Sequence, residues 1–141
     1  MTTPALPSRL ILEIVTPEGL LVREEVDEVI APGADGYFGV LPGHTPFFST
    51  LGLGEITVRT GTDRYHLTCF WGFAEVLPDR VNVLAEISER AEGIDAQRAE
   101  RAKERAAAAM KSVKDEAGYE DARLAYVKAL TRLAVARRHH G

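Results

Sequence analysis

Short apolar runs alternate with turn signals through the first two thirds of this chain. Ile11 to Thr16, Leu20 to Arg23 and Val26 to Ala31 are rich in valine, isoleucine and leucine. Ile56-Thr57-Val58-Arg59 and Tyr65-His66-Leu67-Thr68 alternate apolar and polar residues with a period of two, and Phe73 to Leu77 and Val81 to Leu84 complete the set. The expected breaks are Pro17-Glu18-Gly19, Pro32-Gly33, Pro42-Gly43, Gly52, Gly54, Gly61 and Pro78-Asp79. Half-buried strands at this spacing predict an antiparallel sandwich or barrel. A parallel sheet is disfavoured, because no helical crossover fits between the strands.

The pattern changes near Gly93. All seven prolines lie between Pro4 and Pro78, whereas the last 48 residues hold 13 alanines and no proline. High helix propensity predicts helices over Ile94 to Val113 and Tyr119 to Arg138, with Gly118 as the turn between them. Asp95 either caps the first helix or sits in its first turn, where a carboxylate favours the positive end of the dipole. One face of the first helix collects Ala99, Ala102, Ala106, Ala109, Met110 and Val113; one face of the second collects Ala122, Tyr126, Ala129, Leu130 and Leu133. Alanine faces bury little area, and at ~25 cal/mol per Å2 they gain little from closing. The expected fold is therefore an all-β N-terminal sandwich over residues 1–90, followed over 91–141 by a C-terminal helical hairpin that docks, opens or extends at small cost.

Charge divides the chain at the same place. Residues 1–93 carry 6 basic and 14 acidic side chains, a net of −8, whereas residues 94–141 carry 11 basic and 7 acidic, a net of +4. Such asymmetry suggests different partners for the two halves. The single Cys69 has no internal disulfide partner, which fits a reducing compartment and a small buried hydrophobe. No apolar run approaches the ~18 residues of a membrane span. Met1 to Val15 does not read as a signal or transit peptide, so a soluble cytoplasmic protein is expected, meeting membrane only through a partner.

Enzyme chemistry finds little support. There is no Walker loop, no zinc-type spacing and no glycine-rich phosphate turn opening a helix. Cys69 and His44 are a possible thiol pair that nothing places together. The adjacent acids Glu24 and Glu25, or Asp27 and Glu28, point to opposite faces of a strand and make poor acid/base pairs. His139 and His140 close a charged tail and are expected to be disordered. Arg98, Arg101 and Arg105 form a stripe on the first helix, and Lys128 and Arg132 are four apart on the second. A solvated charged surface, a contact for an acidic partner and a phosphate site all fit this pattern.

The densest local signal is Gly36 to Pro46, GYFGVLPGHTP, in which three glycines and two prolines interrupt bulky apolar residues. The glycines permit positive φ and the prolines fix φ near −65°, so the backbone there is dictated. Together with Val15-Thr16-Pro17-Glu18-Gly19, Pro32-Gly33, Gly72-Phe73-Ala74-Glu75-Val76 and Val83-Leu84-Ala85, this segment resembles the epsilon subunit of bacterial F-type ATP synthases. Trp71 stands where that family usually has a glycine. The resemblance implies a sandwich of about ten strands with a two-helix hairpin. It also implies a non-catalytic rotor subunit on the cytoplasmic face of the membrane, coupled to proton transport. The sandwich would bind the gamma subunit and rest on the c-ring through Tyr37 to His44, with Tyr37 and His44 as interface residues. The basic helices would swing up among the catalytic alpha and beta subunits and limit ATP hydrolysis. No cofactor is required, but Ile94-Asp95-Ala96-Gln97-Arg98-Ala99 is similar to a motif with which some members hold regulatory ATP. By family position Glu89, Ile94, Asp95, Arg98, Ala99, Arg105, Lys128 and Arg132 would form that site, with Lys128 replacing an arginine. A free-standing ATP-sensing module is the alternative. No metal site and no nucleic-acid partner are expected.

Overall fold

The computed structural model describes residues 6–140, with side chains as far as Arg138. The start of the chain and the side chains of His139 and His140, about which the sequence raised expectations, lie outside the described residues. The backbone of both histidines is helical.

Among the described residues seven strands make one curled sheet: β1 (Leu10–Thr16), β2 (Gly19–Val26), β3 (Glu28–Gly33), β4 (Gly36–Val40), β5 (Phe47–Thr60), β6 (Asp63–Leu77) and β7 (Arg80–Ile87). Their spatial order is β2-β1-β7-β6-β5-β3-β4. The alternation in the sequence is the alternation of burial: Leu10, Leu12 and Ile14 of β1, Ile56 and Val58 of β5, and Val81 and Val83 of β7 all point inward and are fully buried. Each such side chain is worth about 1.5–3 kcal/mol in transfer free energy. The curl brings β2 over β5 and its neighbours: the Tyr65 hydroxyl of β6 donates to Glu24 of β2, and the Arg90 guanidinium, beyond the end of β7, donates to the Leu21 carbonyl of β2 at 3.2 Å.

The count is seven rather than about ten because β5 and β6 are long and bend through both layers. Gly52 and Gly54 do not end a strand, as the sequence suggested; both lie within β5. At Gly54 a Cβ would lie 2.7 Å from the Pro32 Cβ, so glycine there permits β3 to approach. In β6 the bend falls at Trp71, φ 60°, and Gly72, φ 138°. A Cβ on Gly72 would lie 2.8 Å from the Ala85 Cα of β7. One pair departs from the antiparallel expectation: β1 and β7 run parallel, with Ile11 opposite Arg80 and Val15 opposite Leu84. The other strands form the connection between them, so no crossover helix is needed.

After a short 3-10 turn (Ala91–Gly93) come α1 (Ala96–Ser112) and α2 (Glu116–His140). Asp95 is the N-cap of α1, its carboxylate accepting from the Arg98 amide at 3.0 Å. Gly118 is not the turn between the helices. It lies in the first turn of α2, where its amide donates to Asp115 Oδ1 at 3.1 Å; the connection is Val113 to Asp115. An aspartate at this position satisfies one of the four free amides that open a helix.

The helices pack against each other, and α2 packs on β6 and β5. Buried in α1 are only Ala99 and Ala106, whereas α2 buries Ala122, Ala129, Leu133, Val135 and Ala136. Leu130, expected on that face, is 41% exposed. The face turns instead through Ala129, Leu133 and Ala136, at helical spacing, and Val135 joins it where α2 meets the sheet. The main core cluster draws on strand residues alone.

Candidate functional site

A cavity of about 530 Å3 lies between the hairpin and the segment that leaves β7. All eight residues singled out as a nucleotide set line it. Glu89 comes from the exit of β7, Ile94 and Asp95 from the turn into α1, Arg98, Ala99 and Arg105 from one face of α1, and Lys128 and Arg132 from α2. Antiparallel pairing of the helices is what brings the last two opposite the first group. Arg101, part of the stripe seen in sequence, is not in the wall.

The acidic side chains are mostly engaged. Glu89 Oε1 accepts from Arg132 Nε at 2.9 Å and from the Thr68 hydroxyl at 3.0 Å. Asp95 is committed to its capping bond. Asp121, which the sequence reading missed, lines the wall and has no hydrogen-bond or ion-pair partner among the described side chains. Its spacing of seven from Lys128, two helical turns, was the available signal. Arg98, Arg105 and Lys128 likewise have no carboxylate partner among the described residues, while four cations face three carboxylates in the wall. Cations that face a cavity with donors to spare suit an anion, and guanidinium forks match phosphate oxygens. The volume is within the ordinary range for small-molecule sites. The described wall holds no cysteine, serine, threonine or histidine, so it offers no such side chain as nucleophile.

Two aromatic rings support the cations from beneath. The Arg132 guanidinium lies 5.0 Å from the Phe70 ring centroid, and Lys128 Nζ lies 4.8 Å from the centroid of Trp71. Beyond the cavity, Arg138 at the far end of α2 pairs with Glu55 of β5 at 2.7 Å.

Tyr37 and His44 stand apart from this cavity, on either side of the bulk of β4. The Tyr37 ring is 58% exposed while its hydroxyl accepts from the Glu55 amide at 3.0 Å. His44 closes a turn in which its amide donates to the Leu41 carbonyl at 3.2 Å, Pro42 takes the second position and Gly43 has φ 85°. That is a type II turn, which demands a glycine-like third residue. His44 Nδ1 is 2.7 Å from the Thr45 carbonyl oxygen, and its ring packs on Phe47. Cys69 is fully buried, and burial pushes its thiol up to about 12. It belongs to the strand core cluster and is no partner for His44.

An apolar strip crosses the outer face of the sheet. Leu84 of β7 is opposite Val15 of β1 and Phe73 of β6, and the Phe73 ring lies 5.6 Å from that of Phe48 on β5. Phe48, Leu84 and Phe73 are 63%, 46% and 42% exposed.

Together these features define a two-part protein of sandwich and hairpin, with an apolar strip exposed on the first part and a cationic cavity lined mainly by the second. Residues 9–91 match the beta-sandwich domain of the ATP synthase delta/epsilon chain, and residues 92–137 match its long alpha-helix domain. The chain belongs to that family. It is 45% identical over 131 residues to ATP synthase epsilon chain 2 of Syntrophotalea carbinolica, covering 92% of this chain and 95% of the relative. It is 53% identical over 100 residues to the epsilon chain of Solibacter usitatus, covering 71% and 75%. Among solved structures, a chain of the Euglena gracilis mitochondrial ATP synthase (OSCP/F1/c-ring) superposes with a TM-score of 0.83 at 25% identity, over 95% of this chain and 85% of that one. The relatives' name is that of an accessory stalk subunit of the rotary ATP synthase, not a catalytic one. Among the described residues no helix is long and apolar enough to cross a membrane.

Proposed function

We propose that this chain works in the central stalk as the link between the gamma subunit and the c-ring, on the cytoplasmic face of the membrane. Movement of its hairpin limits ATP hydrolysis in a proton-coupled synthase. The observation that carries this reading is the exposed apolar strip through Val15, Leu84, Phe73 and Phe48, beside a hairpin that shares little of the sandwich interior. Contiguous exposed apolar surface on a small soluble domain marks an interaction site. We assign the strip to gamma and the Tyr37 to His44 segment to the polar loops of the c-ring. The basic hairpin faces an acidic segment among the catalytic alpha and beta subunits when it extends.

The cavity supports regulatory ATP as a ligand of the docked hairpin. Arg98, Arg105, Lys128 and Arg132 would meet phosphates, and Ile94 and Ala99 would lie against the base.

Co-purification tests the reading. The native chain is expected to associate with gamma, and Leu84→Asp to lose that association at unchanged melting temperature. A synthase assembled without this chain should lose coupling. If coupling and ATPase activity are the same with and without it, the stalk role fails. A monomer that binds ATP but never gamma would favour the free-standing sensor instead. Calorimetry with millimolar metal-free ATP tests the cavity, and absence of heat from the folded chain would remove the nucleotide.

A further inference from the structure

Trp71 adopts φ 60°. A positive φ is a genuine outlier for a bulky residue and calls for a compensating interaction. The adjacent glycine also has positive φ, so the bend of β6 is built from this pair, and glycine would satisfy the backbone at both positions. What a glycine at 71 would lack is the ring, whose centroid is 4.8 Å from Lys128 Nζ. Trp71 is half-buried and lies outside the cavity wall, whereas Lys128 is in it. A lysine side chain has large rotamer freedom, and immobilising it is a cost that any ligand would otherwise meet. An ammonium held over an indole face still directs N–H groups away from the ring.

We propose that Trp71 is a positioning residue of the cavity. Its indole fixes Lys128 at the wall, so affinity for a phosphate-bearing ligand depends on a side chain the ligand does not touch. The same contact ties α2 to the bend in β6. The ligand part of this proposal rests on the nucleotide reading of the cavity.

The test is a double-mutant cycle between Trp71 and Lys128, read by ATP calorimetry and by amide exchange of α2. Trp71→Gly should weaken ATP binding about three- to tenfold, the size of an exposed to half-buried cation–π contact. Amides of α2 near residue 128 should exchange faster by a similar factor. Trp71→Phe keeps a ring face and should restore most of both. In the Lys128→Ala background, which leaves no side chain over the indole, Trp71→Gly should have no further effect on either readout. The melting temperature of the sandwich should hold or rise in Trp71→Gly, because the strained backbone is relieved; this separates positioning from damage to the fold. Equal losses from Trp71→Gly with and without Lys128 would overturn the proposal, as would native affinity and native exchange in Trp71→Gly. If the native chain binds no ATP at all, the nucleotide reading falls; the pairing is then judged on α2 exchange alone, where unchanged rates in Trp71→Gly overturn it.

Discussion

Removal of the Glu89 carboxylate should loosen the hairpin while leaving the sandwich intact. Glu89 joins two bodies: it accepts from Thr68 of β6 and from Arg132 of α2, at 3.0 and 2.9 Å. The side chains of Arg132 and Glu89 are 30% and 36% exposed, so solvent screens the pair. A charge-assisted hydrogen bond contributes about 1.5–3 kcal/mol when shielded, and an exposed ion pair about 0.2–1. A partly shielded pair falls between, at about 1 kcal/mol, or roughly a fivefold change in the docking equilibrium. Glu89→Gln keeps the shape and an acceptor but removes the charge, and is expected to cost about that much; Glu89→Ala should cost more, because the Thr68 hydroxyl also loses its acceptor. The assay is native-state amide exchange, comparing residues 129–136 of α2 with Leu12 and Val83 in the sheet. Faster exchange in α2 with the sheet unchanged is the expected result. Raised salt should shrink the difference between native and Glu89→Gln, since the charge term is screened. The reasoning is refuted if both regions accelerate together, which would mean one cooperative unit, or if neither changes.

Gly72→Ala should destabilise the sandwich by about 2–4 kcal/mol, because the new Cβ meets backbone of β7 at a positive φ; a thermal melt within a degree of native would contradict this. Cys69 should resist thiol reagents at pH 8 in the folded chain and react at once in denaturant, since burial holds its thiol near 12. Asp27 is held below the usual carboxylate range, first by the Gly61 amide and then by Arg9 and Arg59. Its contribution to stability is therefore present above the unfolded pKa near 4 and lost as pH falls through the lower folded value. Asp27→Asn should flatten the acid limb of a pH-stability curve below about pH 4, and an unaltered limb would count against the Gly61 bond.

Much of this architecture can be read along the chain because its cause is local. Alternation in Ile11 to Thr16 and in Ile56 to Arg59 is burial on one face of a strand, and the alanine-rich tail without proline is helical by propensity. The extent of β5 and β6 is not local. Gly52 and Gly54 carry the signature of a break, yet at Gly54 the missing side chain makes room for Pro32, a residue 22 positions away. The parallel β1–β7 pair depends on topology, which no short window contains. At the cavity, Asp95 and Arg98 are legible from capping and helical spacing. Lys128 and Arg132 show as a pair four apart on the second helix, but they meet the first group only through antiparallel packing, and their role at a nucleotide was reached by resemblance. Asp121 was missed although its spacing of seven from Lys128 pointed to it; the aromatic supports Trp71 and Phe70 were missed because nothing in sequence order links them to the cations above them.

The place of β7 has a consequence for how the molecule is made. This strand lies between β1 and β6, so the sheet is completed from the inside by its last-synthesised member. Until residues 80–87 arrive, the β1–β2 ribbon and the β3-to-β6 block are separate fragments, each with an open ladder edge that invites pairing with other chains. A nascent chain halted at Leu77 has most of its strands and no closed sheet, whereas one halted at Glu92 has all seven. Truncated chains released from the ribosome, ending between those two points, mark where protection from aggregation begins.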